Sequence, residues 1–331
     1  MKLPQPCGPV SRRVTDVLRA DPPAPRGAVL GDEPMLADPD TQLGLWILYE
    51  LAYRGFDDVD PSREWDPGVV GMRADIEHRF EGELREATRE RLADVPDRED
   101  VGDQVLALAR EDDGPRFSAY LRRDATADQM RDYLRERSVQ QLKESDPQSF
   151  LLPRLIGAAK VALAELQYDE YGAGRPDRLH QTLYARALAA AGLDATYGAY
   201  VEEVSGISLA SANVMSLFSF NRRLLGAALG HFAAFEASSS QPSRRVASGI
   251  ERLELGDEVA AYFLEHVEAD AVHEQVAARD VCGAYVADDP ARRDDVLFGA
   301  TCLLHLDALF AAELLGRWES PAANPTVGVA S

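Results

Sequence analysis

Along most of this chain apolar residues recur every three to four positions, the spacing that lays one face of an α-helix on a core. The run "DTQLGLWILYELAYRGF", starting at residue 40, predicts an apolar helix, and the charged, amphipathic stretch at about 68–94 predicts a second. Thr126 followed by Gln129 has capping-box spacing and marks the start of a third, "ATADQMRDYLRERSVQQLKES". Later periodicities cover about 151–171, 178–203, 209–238, 255–287 and 290–317, and "EASSSQPSRR" at 236–245 reads as a loop between two long helices. Residues 1–40, rich in Pro and Gly ("PPAPRGAVLGDEP"), read as an extended or mobile lead-in. No stretch alternates strictly for long enough to argue for a sheet, so the pattern predicts an all-α protein.

One of these helices breaks its own pattern. In "AYFLEHVEADAVHEQVA" (261–277) each residue turns the helix by about 100°, so His266, Asp270 and His273 fall within about 40° of one another. Tyr262, Phe263, Ala269, Val276 and Ala277 extend that stripe as an apolar face, so the triplet points inward. Burying two imidazoles and a carboxylate is unfavourable unless partners satisfy them. A metal ion does so while keeping Asp ionised and His neutral. A hydrogen-bonded core network does so as well, and HxxxDxxH alone leaves both readings open.

Composition narrows the function classes. The chain has 331 residues, enough for a substantial core, with 46% apolar content. Its 35 basic against 56 acidic residues give a net charge of −21, which repels polyphosphate and excludes nucleic acid as a partner. Cys7, Cys282 and Cys302 form no CxxC pair and no disulfide framework, which points to a reducing cytoplasm. The start lacks a signal core, and no apolar run is expected to reach the roughly 20 residues that span a bilayer.

Other helices repeat the buried-polar pattern. Glu236 shares a face with Leu225, Leu229 and Phe232, where a core residue is expected. Glu144 lies near the end of the capped helix, and Glu170 and His180 flank "YGAGRPDRL". An unbroken helix would hold those two about 15 Å apart along its axis and about 80° apart around it, too far to share a metal cluster. Gly172, Gly174 and Pro176 are the residues that let the chain bend between them. Carboxylates and imidazoles gathered inside a helical bundle describe a non-haem di-iron site.

The order Glu144, Glu170, His180, Glu236, His266, Asp270 and His273 resembles that of the haem-oxygenase-like di-iron oxidases, the iron-containing redox enzyme family. The resemblance covers roughly 121–318, and "LGLWILYELAYRGFDD" resembles the amino-terminal helix of many members. It implies a seven-helix bundle at 121–318, preceded by additional helices at 41–120 and followed by a tail at 319–331. It implies Glu144, His180, Glu236, His266, Asp270 and His273 as metal ligands, with Glu170 as the additional carboxylate, both ligand and catalytic, of members that oxygenate amine nitrogen. The cofactors implied are two Fe(II)/Fe(III) ions that react with O2 through a peroxo-di-iron(III) species, fed by an external electron donor. The substrate implied is a small amine or amino-acid-like metabolite of a biosynthetic pathway, and the assembly a homodimer. The alternatives are a desaturase or C–C lyase of amino or fatty acids on the same fold, and a non-catalytic helical interaction protein.

The remaining candidates read as structural. His231 lies about 140° around its helix from Glu236 and faces solvent or a neighbouring helix. His78 reads as surface, and His305 as a satisfied core histidine. Tyr168, Tyr171 and Tyr184 read as core aromatics. Arg222 and Arg223 read as surface ion-pair formers, with anchoring of a substrate carboxylate as the weaker alternative. Leu45, Trp46, Leu48 and Leu51 either form an interface or pack on the bundle.

Overall fold

The computed structural model describes residues 1–20, 30–31, 33–96 and 98–319; the side chains of 268–272 lie outside the described set. Among the described residues there is no strand. Helices α1 (Pro9–Arg19), α2 (Pro39–Glu50), α3 (Pro67–Ala93), α4 (Val101–Arg110) and α5 (Phe117–Arg123) come first. They are followed by α6 (Ala127–Gln141), a single turn α7 (Asp146–Ser149), α8 (Gly157–Glu170), α9 (His180–Ala190), α10 (Gly206–Phe220) and α11 (Leu225–Arg252). The chain ends in α12 (Asp257–Gln275), wider turns at Val276–Gly283, α13 (Ala284–Asp288) and α14 (Arg293–Glu319). From α6 onward seven helices have at least 11 residues, namely α6, α8, α9, α10, α11, α12 and α14, as the all-α seven-helix expectation requires.

Local chemistry sets several of these boundaries. The Thr126 hydroxyl accepts from Gln129 N at 3.2 Å and Gln129 Oε1 accepts from Thr126 N at 2.8 Å, so the expected capping box starts α6. Asp38 and Asp66 cap α2 and α3 ahead of a proline at the first helical position.

Three readings change. Residues 9–19 of the supposed lead-in form α1, because Asp40, the second residue of α2, accepts from Val10 N and Ser11 N at 2.8 Å each and caps it from 30 residues away. Residues 236–245 are not a loop: α11 runs through Pro242, and burial of Val246, Ala247 and Ile250 on the following turns outweighs the lost hydrogen bond. The 209–238 periodicity is two helices, because α10 ends at Phe220 and a short turn over Arg222–Leu224 redirects the chain.

The N-terminal helices do not stand apart. Leu43, Trp46 and Ile47 of α2 join Ala210, Val214 and Leu217 of α10 in one apolar core, so Leu45, Trp46 and Leu48, each at most 1% exposed, pack on the bundle. Nor is every apolar run short. The segment Pro290–Glu319 is long and apolar enough to cross a bilayer, but two-thirds (67%) of its most apolar window is buried among neighbouring helices, as in a core helix.

Helices α11 and α14 approach closely enough to fix the height of the site. A Cβ on Gly230 would strike the Val296 carbonyl, and one on Gly299 would strike the Ala227 carbonyl. Glu236 stands six residues beyond Gly230 on the same rigid helix.

Candidate metal centre

Six chemistry-bearing side chains converge inside the bundle. Glu144 comes from the turn after α6, Glu170 is the last residue of α8, His180 the first of α9, Glu236 lies within α11, and His266 and His273 stand on α12. Each is at most 5% exposed. They divide into two groups. Glu144, His180 and His266 each offer one ligand atom, all within 4.8 Å of one another, and Glu170, Glu236 and His273 do the same. Asp270, the seventh expected ligand, falls among 268–272 and lies outside the described residues.

The bend that brings Glu170 to His180 is the one expected of "YGAGRP". Helix α8 stops at Glu170, and Gly172, Ala173 and Gly174 take φ of 70°, 51° and 77° in succession before α9 begins. His180 Nδ1 then lies 3.0 Å from Glu170 Oε2. The other oxygen of Glu170, Oε1, lies 3.8 Å from His273 Nδ1. Glu170 therefore faces both groups, one oxygen toward each. A void of about 10 Å³, room for one water-sized group, touches Glu144, Glu170 and Glu236 where the groups meet.

Hydrogen bonds aim the donor atoms. His266 Nδ1 lies 2.8 Å from the Tyr262 carbonyl, which accepts its proton and leaves the Nε2 lone pair facing Glu144 Oε1 at 3.4 Å. The Tyr262 hydroxyl donates to the other Glu144 oxygen at 2.9 Å. His273 turns Nδ1 to Glu236 Oε2 at 3.6 Å and has its Nε2 3.3 Å from Asp169 Oδ2. The Ser145 hydroxyl donates to Glu170 Oε2 at 2.8 Å.

The electrostatics are those of a site short of positive charge. Burial lowers the His273 imidazole, but the carboxylates of Glu236 and Glu170 outweigh it and raise the pKa to about 9. Burial raises the Glu170 carboxyl, but His180 overrides it and holds the pKa down to about 2. Glu144 Oε1 and His273 Nδ1 are buried with no hydrogen-bond partner. Orphaned buried polar atoms, two three-ligand groups and a hard oxygen and imidazole donor set all fit divalent iron.

A family model of iron-containing redox enzymes matches residues 131–308, more than half of the chain. The chain belongs to that family. It is an iron-dependent oxidoreductase with an all-α, haem-oxygenase-like fold, and its two Glu/His groups fit a di-iron site. The iron-containing redox enzyme is also 29% identical over 141 residues to a nitrosourea synthase from Streptomyces achromogenes subsp. streptozoticus, a match spanning 42% of this chain and 30% of that protein.

The structure corrects some readings of individual residues in this iron-containing redox enzyme and adds others. Tyr168 is 58% exposed and is not a core aromatic; Tyr184 is, with its hydroxyl donating to the Leu134 carbonyl at 2.7 Å. Tyr171 is half-buried, hydrogen-bonded to Ser149 at 2.7 Å. Of the two places expected for His231, solvent or a neighbouring helix, it takes the second: it is buried edge-on to Phe218 of α10, and burial pushes its pKa down to about 4. His305 is half-buried, and burial lowers its pKa too. His78, Arg222 and Arg223 are on the surface, Arg223 paired with Glu81 at 2.5 Å, so neither arginine serves the site. Sequence reasoning does not single out Tyr262, Ser145, Asp169 and Gln181 as partners of ligands. The only signal there is their adjacency to ligands, or, for Tyr262, its place one turn before His266.

Proposed function

We propose that the protein is a di-iron, O2-dependent N-oxygenase that inserts one oxygen atom into an N–H bond of a small amine. The observation that carries this reading is the position of Glu170, a third carboxylate set between the two ligand groups with one oxygen toward His180 and the other toward His273. The stretch shared with a nitrosourea synthase supports nitrogen over carbon as the atom oxidised. When bound, iron supplies the electron transfer and the activation of O2. The chain's own residues set geometry and exclude water. Tyr262 orients Glu144 and Ser145 orients Glu170, the Tyr262 carbonyl fixes the tautomer of His266, and burial of the ligands limits their contact with bulk water.

The reaction balances as amine plus O2 plus two electrons and two protons giving hydroxylamine and water, the electrons coming from an external donor. Under ¹⁸O2, iron-loaded protein with a reductant and a panel of small amines should yield a product carrying one ¹⁸O. A product that has merely lost two hydrogens would assign the site to desaturation instead. Cytoplasmic residence and a homodimer belong to the same reading. The unpaired state of all three cysteines supports the first, and light scattering at twice 36.2 kDa would support the second.

A further inference from the structure

A cavity beside the metal centre runs along one face of α6. Its volume is about 200 Å³, and it reaches from the surface groups Asp112 and Asp307 to His266. Arg137 and Gln141 line it from the same helix, four residues and therefore one turn apart, and Glu144 comes three residues further on. The guanidinium and the carboxamide thus stand on one helix face, and the turn that follows carries the candidate ligand Glu144.

The charges on the wall balance. Arg137 Nη2 donates to Asp307 Oδ1 at 2.8 Å and Nη1 to Gln140 Oε1 at 3.2 Å, while the guanidinium lies 4.0 Å over the Phe310 ring. Asp307, Gln140 and the Tyr133 hydroxyl engage part of the fork, which keeps capacity for a further carboxylate. Asp112 is ion-paired with Arg91. A ligand bearing a single charge would bring it unbalanced into a partly desolvated cavity, whereas a zwitterion would not. Gln141 Oε1 is a buried acceptor with no donor, and Gln141 lines both this cavity and the small void that touches Glu144, Glu170 and Glu236. It is satisfied by an N–H from whatever occupies the cavity.

We infer that this cavity binds an ω-amino acid, with its carboxylate on Arg137 and its amine on Gln141 at the metal end. The inference rests on the amine-oxygenase reading for the chemistry after binding, but not for binding itself. The two residues that bear the anchors are four positions apart, a backbone rise of about 6 Å along α6. That separation matches a carboxylate and an amine divided by about four methylenes, and an α-amino acid's own amine and carboxylate are too close together to meet both anchors. Arg137 and Gln141 are therefore the specificity-determining residues, and long-chain fatty acids, with no group for Gln141, are excluded.

The test is calorimetric titration of the full-length protein, loaded with Fe(II) and kept free of O2, with 5-aminopentanoate, pentanoate, pentylamine and glycine. 5-Aminopentanoate should bind about tenfold or more tighter than each of the other three. Arg137→Gln should reduce it to the level of pentylamine, and Arg137→Lys, which keeps a charge on a similar stem, should restore part of the preference. Gln141→Leu should reduce it to the level of pentanoate. Iron content, measured alongside, should stay at the wild-type value in all three variants, and Arg137→Lys, which keeps a charge beside Asp307, controls for any loss of stability in Arg137→Gln. Equal binding of the four probes, absence of binding, or variants that leave the ranking intact would overturn the inference. No turnover occurs without O2, so ordered binding with no N-oxygenation once O2 is admitted would overturn the proposed function alone. N-oxygenation of amines without this ranking would overturn the cavity assignment alone.

Discussion

His273 shows how a single residue couples protonation to metal. Its pKa of about 9 in the folded, metal-free chain lies above the ordinary 6.5, so its proton contributes stability that is fully present below 6.5 and is lost as pH rises through 9. Iron held by His273 would take the place of that proton. Metal-free protein should therefore melt at progressively lower temperature between pH 6.5 and 9, while iron-loaded protein changes less. Iron uptake at pH 7.5 should release protons, detectable with an indicator dye in weak buffer. Tyr262→Phe keeps the ring packed edge-on against Tyr184 at 4.7 Å and removes only the hydroxyl that donates to Glu144. It should weaken iron binding by roughly tenfold in a chelator competition, and an unchanged affinity would remove Tyr262 from the support of the site. At this scale the sequence is informative where periodicity applies. His266 and His273 are legible from i, i+3 and i+4 spacing, and Glu236 from its place on an apolar face. Ser145 and Asp169 act across the fold on Glu170 and His273, and no spacing along one helix reveals a partner 25 or 104 positions away.

Between α8 and α9 the decisive feature is the left-handed run at 172–174. At Gly172 the φ of 70° and a contact of 2.7 Å between any added Cβ and the backbone of Arg178 and Leu179 leave no room for a side chain. Gly172→Ala should lower the melting temperature and weaken iron binding together, because the same turn sets the Glu170 to His180 distance. Gly192→Ala has similar positive φ, 78°, but open space around it, and should lower stability modestly without touching iron affinity. Hydrogen exchange across 165–182 should be faster without iron than with it, and strong protection in both states would show a bend that needs no metal. A second device ties the N-terminal part to the site. Arg54, four residues beyond α2, donates to the Leu142 carbonyl at 3.3 Å and to Gln181 Oε1 at 3.0 Å, and Gln181 Nε2 donates to the Glu144 carbonyl at 2.8 Å. One guanidinium therefore braces the segments bearing Glu144 and His180. Arg54→Ala should lower iron affinity by about tenfold with the fold retained. Helix identity is legible here from apolar period and caps. The passage of α11 through Pro242 is not, because local breaker chemistry is overridden by burial on either side, and α1 is not, because its cap comes from Asp40.

For the whole molecule, the candidate metal centre rests on one arrangement, a helical bundle that carries two buried Glu/His groups, with one oxygen of Glu170 toward each. The all-α class is legible because no alternating segment competes with the helical period. The pairing of ligands into two groups is not, since it depends on how α6, α8, α9, α11 and α12 cross. The central claim, two separate iron positions, is tested most directly by anaerobic Fe(II) titration with the bound metal counted per chain. Two ions should bind to the wild-type protein. Glu144→Ala and Glu236→Ala should each retain one, because each removes a ligand from a different group. One ion or none in the wild-type protein, or loss of the same ion in both variants, would contradict the account.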